Sequence, residues 1–465
     1  MSQSNEPAVD IKREYSVEEP VPQEARHYGF WDMVFTWIGA NANTSSWYTG
    51  GVVAAVGVLG GLAVIFVANP IAYAVMALIG FIGYKVGTTT MGLTRASFGI
   101  RGSILPSTLN AVQFVGWCSV NTFLAAISMS YLFQMAFGWP AFGEEGSAGN
   151  MILGVLICSV LQILMVAISG SHSIKIAERV ATILLVVLTV WETVVILKNF
   201  DIATILAWTP PADVRMPFGA AMDVMVAFSF GWIPAICEFT RYTKNKSSAI
   251  AAPMIGANVA LFWFAIVGLL GVVAMATETG TFDPNMSDPS TIMATLGLGW
   301  VAMIILIVAT CTTNCINIYA SSMSLNNLFP RVGAKKMILI VAVITVAGSL
   351  VPVAIGSLVD YFMVFLSYVG LIFAPLLPII ILDYYVVKKR DYDWSHAAKV
   401  GGKYWYSGGV NWRAIASWAI GVVFYFVAMN IDFIMNSLGA IYATVIVTAV
   451  VYLIVVKVAP EKIEH

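Results

Sequence analysis

Gly39-Ala40-Asn41-Ala42-Asn43-Thr44-Ser45-Ser46 is a run of small and polar residues inside an otherwise apolar segment. Its flanks, Met33 to Ile38 on one side and Trp47 to Val58 on the other, are apolar enough to lie in lipid. A helix surrounded by hydrocarbon must satisfy its own backbone groups, so a polar interruption is tolerated only where it lines a cavity. A second such stretch is Ser229-Phe230-Gly231-Trp232-Ile233-Pro234. Pro inside a helix removes one hydrogen bond and costs about 3 kcal/mol in water. Either stretch alone is also explained by close helix packing or an ordinary Pro kink. Their positions relative to the other apolar segments decide between these readings.

The lipid setting follows from composition. The chain has 465 residues, of which 59% are hydrophobic and 11% charged. A soluble domain carries about 25% charged residues. With 24 Lys and Arg and 25 Asp and Glu there is no charged shell for a soluble core of this size. Disorder, a disulfide scaffold and a nucleic-acid-binding module are excluded, and the partner of most of the surface is the lipid bilayer. The five cysteines lie in apolar stretches without zinc spacing and read as packing residues. Residues 1–28 are polar and acidic and do not read as a cleavable signal peptide.

A span of the hydrocarbon core needs about 20 apolar residues. Twelve stretches qualify: 30–57, 60–86, 105–138, 151–170, 173–198, 218–240, 249–276, 297–325, 335–356, 360–387, 412–431 and 437–459. An even count puts both termini on one side. With that side cytoplasmic, all of the 24 basic residues except Lys198 and Arg215 fall in inner loops or tails. The positive-inside rule then selects a multi-pass protein of the cell (inner) membrane with cytoplasmic N- and C-termini. The expected organisation is a cytoplasmic tail at 1–29, five-helix repeats at 30–198 and 199–390, a cytoplasmic loop at 391–411, and two additional helices with a short tail at 412–465.

The two breaks fall in helices one and six, at corresponding positions of two five-helix halves. That placement points to inverted repeats around a midplane site. Unwound backbone there offers carbonyls to a cation and half-helix N-termini to electron-rich substrate atoms.

Helix eight carries Thr310-Cys311-Thr312-Thr313-Asn314-Cys315-Ile316-Asn317. A single Thr back-bonds to its own helix and means little. Adjacent Thr312 and Thr313, with Asn314 and Asn317, form a dense oxygen-bearing patch that suits a small hard cation such as sodium. Helix three places Gln113, Trp117 and Asn121 on one face at i, i+4, i+8. A flat heteroaromatic ring can stack on such an indole and bond to such amides; a packed Trp with interhelical amide bonds is the alternative. Asp32, Glu192, Asp223 and Glu238 are the acids in or near spans, and none reads as clearly midplane. A Glu238–Arg241 pair is expected to be structural, and His172 to be solvated in an inner loop. No phosphate-binding loop or hydrolase motif is present, so neither an ATP-driven pump nor an enzyme is supported.

The motifs resemble those of the nucleobase:cation symporter-1 family, which includes bacterial cytosine permease and a hydantoin transporter. The resemblance rests on Gly83-Tyr84-Lys85-Val86-Gly87, Gly92-Leu93, Arg95, Ser97-Phe98-Gly99, Gly102-Ser103, Leu105-Pro106-Ser107 and Gly116-Trp117 in order. Trp47, Thr49-Gly50-Gly51, Glu238-Phe239-Thr240-Arg241-Tyr242, Thr312-Thr313-Asn314, Tyr319-Ala320-Ser321, Asp383-Tyr384-Tyr385 and Lys388-Lys389-Arg390 add to it. It spans most of residues 30–395. It implies an all-α polytopic fold of twelve transmembrane helices: a leucine-transporter-like 5+5 inverted repeat with discontinuous helices 1 and 6, plus two helices at the end.

The resemblance further implies alternating-access symport of a nucleobase, hydantoin or allantoin-like ring with a cation, and no cofactor. The implied sodium ligands are Gly39, Asn43, Ala309, Thr312 and Thr313. The implied substrate contacts are Trp117, Asn121, Gln113, Asn314 and Asn317, with an aromatic in helix six. Counting back from Glu238, that aromatic falls on Ser229, so a neighbour, Phe228 or Phe230, is expected to serve beside Gly231. Phe114 stands where cytosine permeases carry a glutamine. Proton coupling, with a vitamin-precursor pyrimidine or pyridine ring as substrate, is the alternative within the fold. A channel or sensor is the alternative outside it.

Overall fold

A computed structural model describes residues 15–168, 171–329 and 331–459. The tail 1–14, with Lys12 and Arg13, lies outside the described residues, as do the side chains of His172 and Ala320.

The chain is helical throughout. In order the α-helices are α1 (Phe30–Asn41), α2 (Thr44–Val52), α3 (Val58–Val86), α4 (Thr90–Phe98), α5 (Ile104–Phe137), α6 (Ala148–Ile168), α7 (Ser171–Asn199), α8 (Ile202–Ala207) and α9 (Phe218–Trp232). They continue with α10 (Ile236–Thr240), α11 (Lys246–Thr279), α12 (Pro289–Thr295), α13 (Trp300–Leu328), α14 (Ala334–Ile355), α15 (Leu358–Leu382), α16 (Trp412–Ala428), α17 (Asp432–Met435) and α18 (Ala440–Val458).

Among the described residues, 10 segments are long and apolar enough to cross a membrane, with α9 and α10 counted as one. The other two expected spans are shorter: the split pair α1–α2, and α16 with 17 residues. The lipid-facing surface is what the composition demanded. Large apolar side chains such as Phe66, Leu164, Ile183 and Val343 are exposed.

Helix one is broken at Ala42 and Asn43, and one side chain manages both free ends. Asn43 is extended (φ −144°, ψ 166°) and caps α2 by accepting from the Ser46 N–H at 2.9 Å. Its Nδ2 donates back to the Ala40 carbonyl at the end of α1, at 2.7 Å. Such a cap is worth about 1 kcal/mol. Asn41 is held by Tyr73 of α3, whose hydroxyl donates to Oδ1 at 2.6 Å.

The sixth span is interrupted differently. Between α9 and α10 lies a single 3-10 turn, Ile233–Ala235, carrying Pro234. The flanking residues Trp232 and Ile236 stay in the right-handed helical region. Pro234 has no N–H to give, so the chain tightens there rather than unwinding.

α13 packs along α5, α1 and α2 along α11, and α3 between α9 and α11. At the α2–α11 contact a Cβ on Gly268 would come within 2.0 Å of the Trp47 carbonyl. Only glycine lets the broken helix lie that close. α15 lies beside α9 and α18, and α16 pairs with α18 on the outside. Two acids, half-buried Asp223 and buried Asp383, fasten this outer pair. Asp223 of α9 accepts the Ala440 and Ile441 N–H groups at the start of α18, at 2.7 and 2.8 Å. Asp383 accepts the Tyr452 and Tyr392 hydroxyls at 2.8 and 2.7 Å. Glu238 and Arg241 interact electrostatically. The Arg241 guanidinium nevertheless donates to the Tyr15 carbonyl and lies over the Tyr242 ring, so the expected pair is looser than a hydrogen-bonded bridge.

Candidate functional site

Where α2, α5, α9 and α13 meet beside the helix-one break there is a narrow cavity. Its lining is Asn43, Ser45, Phe114, Trp117, Asn121, Phe228, Gly231, Trp232, Thr313 and Asn317. Among the described residues none of these lining side chains is ionisable. The site is built from amides, hydroxyls and aromatic faces.

Trp117 of α5 lies in this lining. Phe228 of α9 meets it edge-on, with ring centroids 5.4 Å apart at 83°. Phe365 and Phe362 of α15 add edge contacts at 4.9 and 6.2 Å, and Tyr48 of α2 packs on Phe362 at 4.9 Å. Edge-to-face packing is a favoured aromatic geometry and fixes the indole plane. Gly231 lies directly beside the indole, and a Cβ there would sit 2.8 Å from Trp117 Nε1.

The polar groups divide into spent and unspent. Asn121 Oδ1 accepts from the Ser45 hydroxyl, which ties α5 to α2. Its Nδ2 has no partner among the described residues, and neither does the Asn317 amide or the Thr313 hydroxyl. Thr310 bridges to Thr44 hydroxyl to hydroxyl at 3.0 Å, joining α13 to α2. The Thr312 hydroxyl lies 2.9 Å from both the Val308 and Ala309 carbonyls of its own helix. At the break no backbone N–H closes on the Gly39 carbonyl among the described residues, and the space beside the Gly39 Cα is open.

Several residues singled out in the sequence lie behind the cavity wall. Gln113 donates to the Gly231 carbonyl at 2.9 Å and so latches α5 to α9. Asn314 donates to the Cys118 carbonyl, Thr122 and Gln162 at 3.0, 3.0 and 3.1 Å, in a buried node of α13, α5 and α6. Ser229 donates to Asn69 of α3 at 3.1 Å, and Phe230 packs against Tyr442. Of the helix-six neighbours, Phe228 is the one that faces Trp117. Trp232, Ser45 and Phe362 went unmarked as site residues in the sequence. Ser45 belonged to the polar run of the break, but nothing in the local sequence set Trp232 or Phe362 apart from packing aromatics.

A family profile described as permease for cytosine/purines, uracil, thiamine, allantoin matches residues 20–455. The chain belongs to this permease family. It is a polytopic membrane transporter of small heterocycles, not an enzyme. The Bacillus subtilis allantoin permease is 26% identical to this permease, over 96% of this chain and 95% of the relative. The Escherichia coli K12 cytosine permease is 25% identical over 87% of each. In fold, this permease matches Mhp1, a nucleobase-cation-symport-1 family transporter. The TM-score is 0.77 for its inward-facing form, at 21% identity over 95% of this chain and 94% of that one. For its closed form with bromovinylhydantoin it is 0.73, at 20% identity over 96% of each. The fold is therefore that of the leucine-transporter-like symporters.

Proposed function

We propose that this permease imports a small, flat, uncharged heterocycle of the nucleobase, hydantoin or allantoin type, by symport with sodium. The observation that carries the substrate class is the Trp117 face beside two unspent amides, Asn121 and Asn317, in a cavity without charge. Stacking gives affinity for any flat ring, and the amides read its edge of carbonyls and ring N–H groups. An allantoin, hydantoin or purine ring offers such an edge, and allantoin permease is a full-length relative. Phe114 is apolar where cytosine permeases carry an amide, which weighs against cytosine itself.

Sodium is supported by the neutral oxygens that α1 and α13 carry at Gly39, Ala309, Thr312 and Thr313. Among the described residues the Gly39 carbonyl lacks its helical partner and the Thr313 hydroxyl makes no other bond; Ala309 lies one turn before Thr313 and Thr312 directly beside it. Asn43 contributes by shaping the break, because its side chain is spent on capping. Sodium binding there joins the half-helix α1 to α13 and thereby favours one of the two access states. We read residues 30–198 and 199–390 as the two inverted halves that move against each other. The distribution of Lys and Arg supports cytoplasmic termini in the cell membrane.

The test is uptake into proteoliposomes of radiolabelled allantoin, hydantoin, uracil and cytosine, driven by sodium or with sodium replaced by choline. Saturable, sodium-stimulated uptake of at least one ring supports the reading. Uptake indifferent to sodium but driven by a proton gradient supports the second reading, proton coupling in the same fold. No saturable uptake of any ring contradicts both.

A further inference from the structure

Glu192 sits in α7, outside the cavity lining, and is completely buried. Among the described residues neither of its carboxylate oxygens has a hydrogen-bond partner. It lies against α11 at Gly271, where an added Cβ would come within 1.9 Å of Oε1, so glycine is what leaves room for the carboxyl. Ile292 of α12 closes the same spot, within 3.0 Å of that Cβ position. The charged groups of the elements around it are Lys246 and Glu278 at the ends of α11, Asp288 at the cap of α12, and Asp32 near the start of α1; α13, which also packs on α7, carries no charged residue and only Cys311, Cys315 and Tyr319 as titratable groups. A naked carboxylate in hydrocarbon-like surroundings is far less stable than the neutral acid, which needs no counter-charge.

The cover over Glu192 is connected to the cavity. α12 is tied to α5 by Ser290–Ser128 and Thr291–Tyr131, at 2.6 and 3.1 Å. In the same loop, Asn285 accepts the Leu358 and Val359 N–H groups that open α15, at 2.6 and 3.1 Å. α5 carries Trp117, and α15 carries Phe362 and Phe365. The lid of the glutamate and the aromatic cover of Trp117 therefore belong to one hydrogen-bonded assembly.

We infer that Glu192 is a proton-binding site, occupied while α12 covers it and emptied when the α12 side opens. No bond other than the acid O–H forms or breaks: the proton passes from water on the α12 side to a carboxylate oxygen, and returns there. By linkage, whatever opens the α12 side lowers the proton affinity of Glu192, and a rise in pH favours opening. This is independent of which ring the cavity holds.

The test compares the full-length protein with E192Q, which keeps the shape and is permanently neutral. Infrared difference spectra of the reconstituted protein, titrated from about pH 5 to about pH 9, read un-ionised carboxylic acids directly and need no substrate. An acid band that persists at neutral pH in the wild type, in D288N and in D223N, disappears in E192Q and returns at a shifted frequency in E192D is the expected result. The two aspartate variants remove Asp288 near α12 and Asp223 near α18; Asp383, which accepts from Tyr452 of α18, is present in every variant. Should E192Q not fold, E192D alone decides, since the band must move with it. Where uptake is measurable at fixed sodium, the wild type is expected to change several-fold over the titration and E192Q by less than about twofold. A wild-type spectrum with no acid band beyond those lost in D288N and D223N, or an E192Q pH profile equal to the wild type, overturns the assignment.

Discussion

Asn43 holds the Ala40 carbonyl at 2.7 Å with its amide nitrogen and the Ser46 N–H at 2.9 Å with its oxygen, so one side chain spans the break in the first helix. The break is therefore a built feature. It frees the Gly39 carbonyl on one side and presents Thr44 and Ser45 on the other. N43A loses both bonds and is expected to destabilise the protein by about 1–2 kcal/mol, while N43D keeps the cap to Ser46 and loses only the bond to Ala40. Thermal unfolding of the purified proteins checks the order wild type, N43D, N43A; equal stability of N43A and wild type contradicts the role given to Asn43.

Thr312 and Thr313 are adjacent in sequence and differ in what their hydroxyls do. T313A is expected to reduce sodium-stimulated substrate binding by about tenfold or more, because it removes a hydroxyl with no other use. The same titration of T312A separates a helix-bonded hydroxyl from an ion ligand. Unchanged sodium dependence in T313A removes the ion from this site.

Phe228 and Phe230 are two residues apart and face opposite ways. F228A is expected to weaken ring binding by about 1 kcal/mol, roughly fivefold, through loss of the edge that fixes the indole. F230A loses its contact with Tyr442 and lowers thermal stability, with the dissociation constant of the folded fraction unchanged. Calorimetric titration and melting curves on both variants distinguish them; a reversed pattern means the cavity is lined by the other face of α9.

Asp288 lies between α11 and α13, outside the spanning helices. Burial raises its carboxyl from the ordinary range to about 6, against the opposing effect of the Thr291 hydroxyl and the Ser290 and Thr291 N–H groups. Folded protein thus binds this proton more tightly than the unfolded chain does. The stabilisation is complete below the unfolded value of about 3.9 and is lost as pH rises through the folded value. The loss is on the order of 2–3 kcal/mol. Melting curves between about pH 4 and pH 7 are expected to show this slope in the wild type and to lose it in D288N; an identical slope in D288N contradicts the assignment.

Much of this was legible in the sequence, and the limits have physical causes. Spans and the helix-one break were visible because lipid forces long apolar runs, and Gly39 to Ser46 violates the rule in plain view. The break in helix six is milder than its Pro234 suggested, because a single 3-10 turn absorbs the missing N–H. The helix-three face carrying Trp117 and Asn121 was readable from i, i+4 spacing. Gln113 and Asn314 were drawn into the same site because amides in a membrane helix always need partners. The sequence cannot say whether that partner is a ligand or another helix. Here Gln113 holds Gly231, and Asn314 holds α5 and α6. Phe362 and Phe365 were invisible, since aromatic residues in an apolar helix carry no mark of what lies opposite.

The central claim is that a flat ring stacks on Trp117. Stacking on an aromatic side chain contributes about 1–3 kcal/mol, so W117A is expected to weaken binding by roughly 5- to 150-fold. The most direct measurement is the ligand-induced rise in melting temperature with allantoin, hydantoin, uracil and cytosine, in sodium, for wild type and W117A. The account predicts a rise with at least one ring in the wild type and none with that ring in W117A. A rise of equal size in W117A places the ring elsewhere and contradicts the account.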